Sequence, residues 1–222
     1  MPELPPALPP DERTVAQFVG ETIRAYGSHF WRLVPIGLAL AIVDQVAAKQ
    51  ARSTQALVFW AAAPLIAAAF VWACAVVHDK RPTVTAFLLA FLIYLPFPAL
   101  RAFFLLPGIA WFAFIGLAVP AALIEGLGFR DALVRGRKLG TADYIHALGS
   151  LAVLVVVVGI GEDAMTTVLR SQSDNSRRAA LFLGDLVLSP MLYIGGALLY
   201  LDQAARMGTS RSDRKQRVAR KA

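Results

Sequence analysis

Two stretches of this sequence run for more than 20 residues without a single charged side chain. Residues 56–77 number 22, residues 102–124 number 23, and residues 179–201 form another stretch of 23 that only Asp185 interrupts. A helix needs about 20 apolar residues to cross roughly 30 Å of bilayer hydrocarbon. Charged residues make up 17% of the chain, against about 25% in soluble domains. The sequence therefore predicts an all-α polytopic membrane protein.

Three weaker runs complete the pattern. Residues 31–48 carry Asp44 near their end, and residues 144–161 carry one histidine near their start. Residues 84–100 number only 17 and contain two prolines, so a full span and a broken or re-entrant segment both stay open. Counting all six, we predict six transmembrane helices.

The distribution of Lys and Arg predicts the orientation of these spans. With six spans and both termini inside, 16 of the 22 basic residues lie on the inner side, as the positive-inside rule expects. If residues 84–100 do not cross, the split becomes nearly even. We therefore predict a multi-pass protein with its N- and C-termini on the cytoplasmic side.

Amphipathic stretches precede the first and fifth spans. Residues 11–30 and 125–141 place apolar side chains at three- and four-residue spacing between charged ones, which predicts interfacial helices. Residues 162–178 are mostly polar and are predicted to form the longest outer loop.

The charge balance divides the chain into three regions. Residues 1–10 form a Pro-rich leader, residues 11–205 the six-span membrane domain, and residues 206–222 a basic cytoplasmic tail with seven Lys and Arg and one Asp. The tail holds nearly all of the net charge of +7. We expect it to lie on anionic lipids of the inner leaflet, and we expect no nucleic-acid partner.

Short motifs are spaced along the second half of the chain. They are Leu106-Pro107-Gly108, Pro120, Ile124-Glu125-Gly126, Ala132-Leu133-Val134-Arg135-Gly136, Leu139-Gly140, and a closing Tyr200, Asp202 and Arg206. Their order resembles the membrane domain of glycerophosphoryl diester phosphodiesterases and its free-standing, YciC-like relatives. Gly136 departs from the family's pattern, which usually has Ser after the Arg.

The resemblance implies six spans and a location in the bacterial inner membrane. It implies no catalysis, because phosphodiesterase chemistry in the fused members belongs to a separate soluble domain. The residues agree with this expectation. The chain has no nucleophile-elbow, P-loop or dinucleotide fingerprint, a single cysteine, and three histidines (His29, His78 and His146) far apart in sequence. We therefore expect no enzymatic activity, no metal and no cofactor.

Two acids lie within predicted spans. An acid there costs about 2.5–3.5 kcal/mol on insertion scales and usually turns toward a partner or water. Asp44 and Asp185 are therefore candidates for an intramembrane proton or cation relay, with helix packing as the alternative.

Charged residues around the second amphipathic stretch form another candidate site. Glu125 and Arg135 are predicted to form an orienting ion pair. The basic residues are either an anionic-lipid contact or only positive-inside determinants. They are Arg130, Arg135, Arg137 and Lys138.

Two functions from different classes follow. The first is a structural or accessory role in the envelope, through binding of lipid, of another membrane protein or of a second copy. The alternative is a small transporter or channel that uses Asp185 and Asp44. Whether these two acids share a cavity discriminates between them.

Overall fold

A computed structural model describes residues 9–48, 50–103, 105–168 and 173–219. Residues 1–8 of the predicted leader and residues 220–222 of the predicted tail lie outside the described residues. Within them the chain forms twelve α-helices and no strand, so the all-α prediction is confirmed. In chain order the helices are α1 (Val15–Ser28), α2 (Phe30–Ala47), α3 (Arg52–Ala61), α4 (Ala63–Val77), α5 (Val84–Tyr94), α6 (Phe97–Phe103), α7 (Leu105–Ile115), α8 (Ala118–Ile124), α9 (Phe129–Gly140), α10 (Tyr144–Val168), α11 (Asp174–Leu188) and α12 (Pro190–Ala219).

Four helical stretches in the described part of the chain are long and apolar enough to cross a membrane. The bent pair α3 and α4 makes a fifth if it is counted as one span, and residues 84–100 form a shorter apolar pair, α5 and α6. These helices are compatible with a membrane protein. The four stretches are Phe30–Ala47, Leu105–Ile124, Tyr144–Val168 and Asn175–Gly208.

Prolines break several of the predicted spans. The run 56–77 is not one straight helix, because α3 and α4 meet at an angle of 50° just before Pro64. A proline has no N–H to donate, and its ring clashes with the carbonyl four residues earlier. The same constraint separates α5 from α6 at Pro96 and α11 from α12 at Pro190.

The predicted outer loop 162–178 is largely helical, so that expectation is wrong. Helix α10 continues to Val168, and α11 begins at Asp174. The Ser173 side chain caps α11 by accepting a hydrogen bond from the backbone N–H of Ser176, which satisfies one of the free donors at a helix start. The acidic residues at the end of α10 therefore belong to the helical bundle.

The predicted amphipathic segments are present as α1 and α9. Helix α1 begins with a capping box between Thr14 and Gln17 and buries Phe18, Thr22 and Tyr26 against the bundle. Helix α9 packs on α8 with its small residues, and Gly136 is buried against Ala118. The two helices lie on the same end of the bundle.

Side-chain contacts define this end. The ends of α4 and α8 meet the first half of α12 there, because His78 contacts the Ala197 carbonyl and the Tyr200 hydroxyl donates to Glu125. We call it the α9 end. The end of α2 and the start of α11 meet at the opposite, far end, where the Gln45 side chain donates to the Arg178 carbonyl.

Candidate functional site

A partly open cavity of about 450 Å³ lies among the helices of the bundle. Its wall is mainly apolar and comes from helices on all sides of the bundle. Phe70 and Phe112 pack edge to face at 5.1 Å between ring centroids on one side. Other apolar lining residues are Ile66, Ile109, Val119, Leu154 and Leu192. Such a wall can enclose the apolar part of a small molecule.

One part of the cavity wall is polar. Among the 25 lining residues in the described part of the chain, six have a side-chain oxygen and none is basic. The six are Asp44, Tyr94, Glu162, Asp185, Ser189 and Tyr193.

The three carboxyl groups lie close together. Asp185 is 7% exposed and lies within interaction distance of the side chains of Asp44 and Glu162. The cavity therefore brings together the two acids that the sequence singled out, and it adds a third.

The acids lie toward the far end of the bundle. Asp44 follows His29 by 15 residues on α2, so at 1.5 Å per residue it stands about 22 Å along that helix from His29. Asp185 lies on α11, before the break at Pro190. The apolar part of the cavity extends inward from this acidic group.

Two buried hydroxyl groups line the same cavity. Ser189 is 2% exposed, and Tyr193 is 8% exposed. Neither hydroxyl oxygen has a hydrogen-bond partner among the described residues. The Tyr193 hydroxyl lies within electrostatic reach of Tyr94 and Asp44. A buried hydroxyl without a partner costs about 1–3 kcal/mol, so a water or ligand that bonds to these groups would be stabilised here.

Sequence reasoning missed Glu162, Ser189 and Tyr193. A signal for Glu162 was present, because Leu151, Leu154, Val158 and Glu162 follow one another at three- and four-residue spacing. That spacing places them on one helix face. The predicted loop boundary hid it, since the predicted span ended one residue before Glu162, whereas α10 continues to Val168.

The ion pair between Glu125 and Arg135 is present at the α9 end. Arg135 Nε lies 2.7 Å from Glu125 Oε1, which also accepts from the Tyr200 hydroxyl at 2.6 Å. Burial raises the pKa of Glu125, but the hydrogen bonds from Tyr200 and Arg135 outweigh it and hold the pKa below its ordinary value. The pair joins α9 to α8 and α12.

The other basic residues of α9 face outward. Arg130, Arg137 and Lys138 are exposed, and the Arg137 guanidinium lies 5.8 Å from the centroid of the Phe114 ring. They do not join the ion pair of Arg135. Three positive charges are therefore available at the surface of this end.

A second ion-pair network at the α9 end holds α1 to the bundle. Arg13 Nη1 lies 3.0 Å from Oδ1 of Asp202, whose side chain is fully buried. Arg206 donates to Asp143 Oδ2 at 2.9 Å and to the backbone carbonyl of Arg13 at 2.7 Å. The pairing partners lie up to 193 residues apart, so local sequence patterns do not reveal this network.

The histidines occupy separate places in the structure. His29 lies between α1 and α2, His78 follows α4, and His146 lies in the first turn of α10. No group of three or more His, Cys, Asp or Glu in the described residues is arranged to hold a metal ion.

Comparisons of the chain with protein-family models, with curated proteins and with solved structures found no match. The resemblance to the YciC-like family stays a prediction.

Proposed function

We propose that this protein is a six-span, non-enzymatic protein of the bacterial inner membrane that binds an amphipathic small molecule inside its helical bundle. The observation that carries this proposal is the cavity with an apolar wall and one polar end. Its 450 Å³ lies within the range of about 300–1,000 Å³ that small-molecule sites occupy. The molecule's apolar part would lie among the aromatic and aliphatic side chains, and its polar group near Asp185.

The arrangement of charge supports six spans with both termini inside. Lys80 and Arg81 follow α4, and the exposed basic residues of α9 lie at the same end of the bundle. The pair α5 and α6 then crosses as the third span, as an alternating path requires. Reporter fusions after Asp79 and near Arg101 test this, and the expected result is Asp79 inside and Arg101 outside.

The exposed basic residues of α9 support an accessory contact with anionic lipid. With the α9 end inside, Arg130, Arg137 and Lys138 face the anionic leaflet, where each contributes on the order of 1 kcal/mol. Arg135 contributes less, since Glu125 neutralises it. The basic tail lies on the same side and adds to this attraction.

Binding of the neutral fluorophore N-phenyl-1-naphthylamine tests the cavity. Purified protein in dodecyl maltoside should raise its fluorescence above that of protein-free micelles, in a saturable way. Ala67 lines the cavity and is 1% exposed, whereas its neighbour Ala68 is exposed and lies outside it. Ala67→Phe should weaken binding about tenfold or more by filling the cavity, and Ala68→Phe should leave it unchanged. Equal binding by both variants would contradict the proposal.

A transporter or channel is the second candidate function. It is favoured by one observation, namely that Asp44 and Asp185 line the same cavity. In proteoliposomes, the protein should then dissipate an imposed proton gradient, and the double substitution of both acids to Asn should abolish this flux. If the wild type and the double variant are equally impermeable, the cavity binds its ligand without transport.

A further inference from the structure

We propose that the molecule bound in the cavity is an organic cation, with a single positive group at Asp185 and an apolar body in the remaining space. This inference rests on the proposed function. It goes further because it states the charge of the ligand. The competition experiment distinguishes a failure of this charge assignment from a failure of the proposed function.

The charge of the lining residues carries the first step. Three carboxyl groups, Asp44, Glu162 and Asp185, line the cavity, and no basic residue does so in the described part of the chain. Asp185 lies within interaction distance of Glu162 and Asp44. A cationic group that enters the cavity is therefore attracted to these carboxyl groups, whereas an anionic group meets like charge from them.

The unpartnered hydroxyl groups carry the second step. Ser189 and Tyr193 are more than nine-tenths buried, line the cavity, and have no hydrogen-bond partner for their hydroxyl oxygens among the described residues. Each hydroxyl can donate one hydrogen bond and accept others, so both fit a polar or charged ligand group better than an apolar one. The rings of Tyr94 and Phe97, 5.6 Å apart between centroids, also line the cavity, and an aromatic ring favours a nearby cation over a neutral group.

The shape of the site decides between a metal ion and an organic cation. The carboxyl groups are not part of any described cluster arranged to hold a metal, and most of the 450 Å³ is bounded by apolar side chains. A hydrated metal ion gains nothing from such a wall. An alkylammonium ion fits both parts, because its chain is apolar and its head is monovalent.

Competition between ligands of matched chain length tests the inference. Octyltrimethylammonium, octanol and octyl sulfate are each titrated against bound N-phenyl-1-naphthylamine, with concentrations corrected for partition into micelles. The cation should displace the fluorophore at about tenfold lower concentration than octanol, and octyl sulfate should be the weakest competitor. Asp185→Asn should remove most of the preference for the cation, measured within that variant as the ratio of the octanol to the octyltrimethylammonium concentration that displaces half of the fluorophore.

Two further variants complete the design. Asp163→Asn changes an exposed acid next to Glu162 that does not line the cavity, and it should preserve the cation preference. Asp44→Asn should reduce the preference as Asp185→Asn does, and it replaces that variant if Asp185→Asn fails to fold. If octanol and octyl sulfate compete as well as the cation, the ligand's charge is wrongly assigned while the binding cavity stands. If the fluorophore does not bind at all, the proposed function fails and this inference fails with it.

Discussion

The closest packing between α9 and α8 makes Gly136→Ala a sharp test of the structure. A Cβ atom at Gly136 would lie 2.6 Å from both the Cα and the Cβ of Ala118, whereas carbon atoms in ordinary contact are about 3.5–4.0 Å apart. The obstacle includes backbone, so α9 must move outward by roughly 1 Å.

The expected cost follows from two opposing effects. Overpacking a buried contact costs about 1–3 kcal/mol, and replacing a helical glycine by alanine returns up to about 1 kcal/mol through helix propensity. We expect Gly136→Ala to destabilise the protein by about 1–2 kcal/mol net, which lowers Tm by roughly 2–8 °C in a chain of this size.

The single cysteine provides the assay. Cys74 is fully buried, so a maleimide dye that fluoresces on reaction with a thiol reports unfolding in detergent. Gly20→Ala is the matched control, because Gly20 lies inside α1 and a Cβ atom added there would have nothing within 4 Å. This variant should be at least as stable as the wild type. A Gly136→Ala protein that melts at or above the wild-type temperature would refute the close contact between α9 and α8.

Two further predictions concern charged groups at the α9 end. Arg13→Ala leaves the fully buried Asp202 without its ion pair to Arg13, which should lower the free energy of unfolding by about 3–5 kcal/mol. Arg24→Ala removes an exposed pair with Glu21 and should lower it by at most about 1 kcal/mol. The Cys74 assay compares the Tm values of the two variants. Burial lowers the pKa of His78 below its ordinary value of 6.5, so the unfolded chain takes up a proton on acidification before the folded chain does. Stability should therefore fall as the pH drops below about 6.5, and Tm measured at pH 7.5 and 5.5 should decrease less in His78→Gln than in the wild type.

The helices were predictable because their signal is local. Every long apolar run became helical, since a run of this composition needs no knowledge of its neighbours. The breaks at Pro64 and Pro190 were only partly predictable, because proline permits either a kink or a complete interruption. The boundary after Gly161 was wrong because Glu162 is charged, and a charge ends an apolar run without ending a helix.

The candidate site was predictable residue by residue but not as an assembly. Asp44 and Asp185 stand out because each interrupts an apolar run, yet they lie 141 positions apart and nothing in either run says that α2 and α11 are neighbours. That proximity depends on Gly37, whose missing side chain lets α2 approach the backbone of Leu186. A glycine in an apolar run looks the same whether it makes such a contact or faces open space, as Gly159 does.

The cavity itself follows from where the bundle is closed and where its helices are broken. Glycines bring helices together on one side, as at Gly196, where an added Cβ would lie 3.0 Å from the rings of Phe70 and Phe112. On another side, the bend before Pro64 and the interruption at Pro96 divide two apolar runs. Residues from both halves of each run line the cavity, among them Phe59 and Phe97. The course of the backbone therefore shapes this space, as it does in the preformed pockets in which proteins bind small molecules.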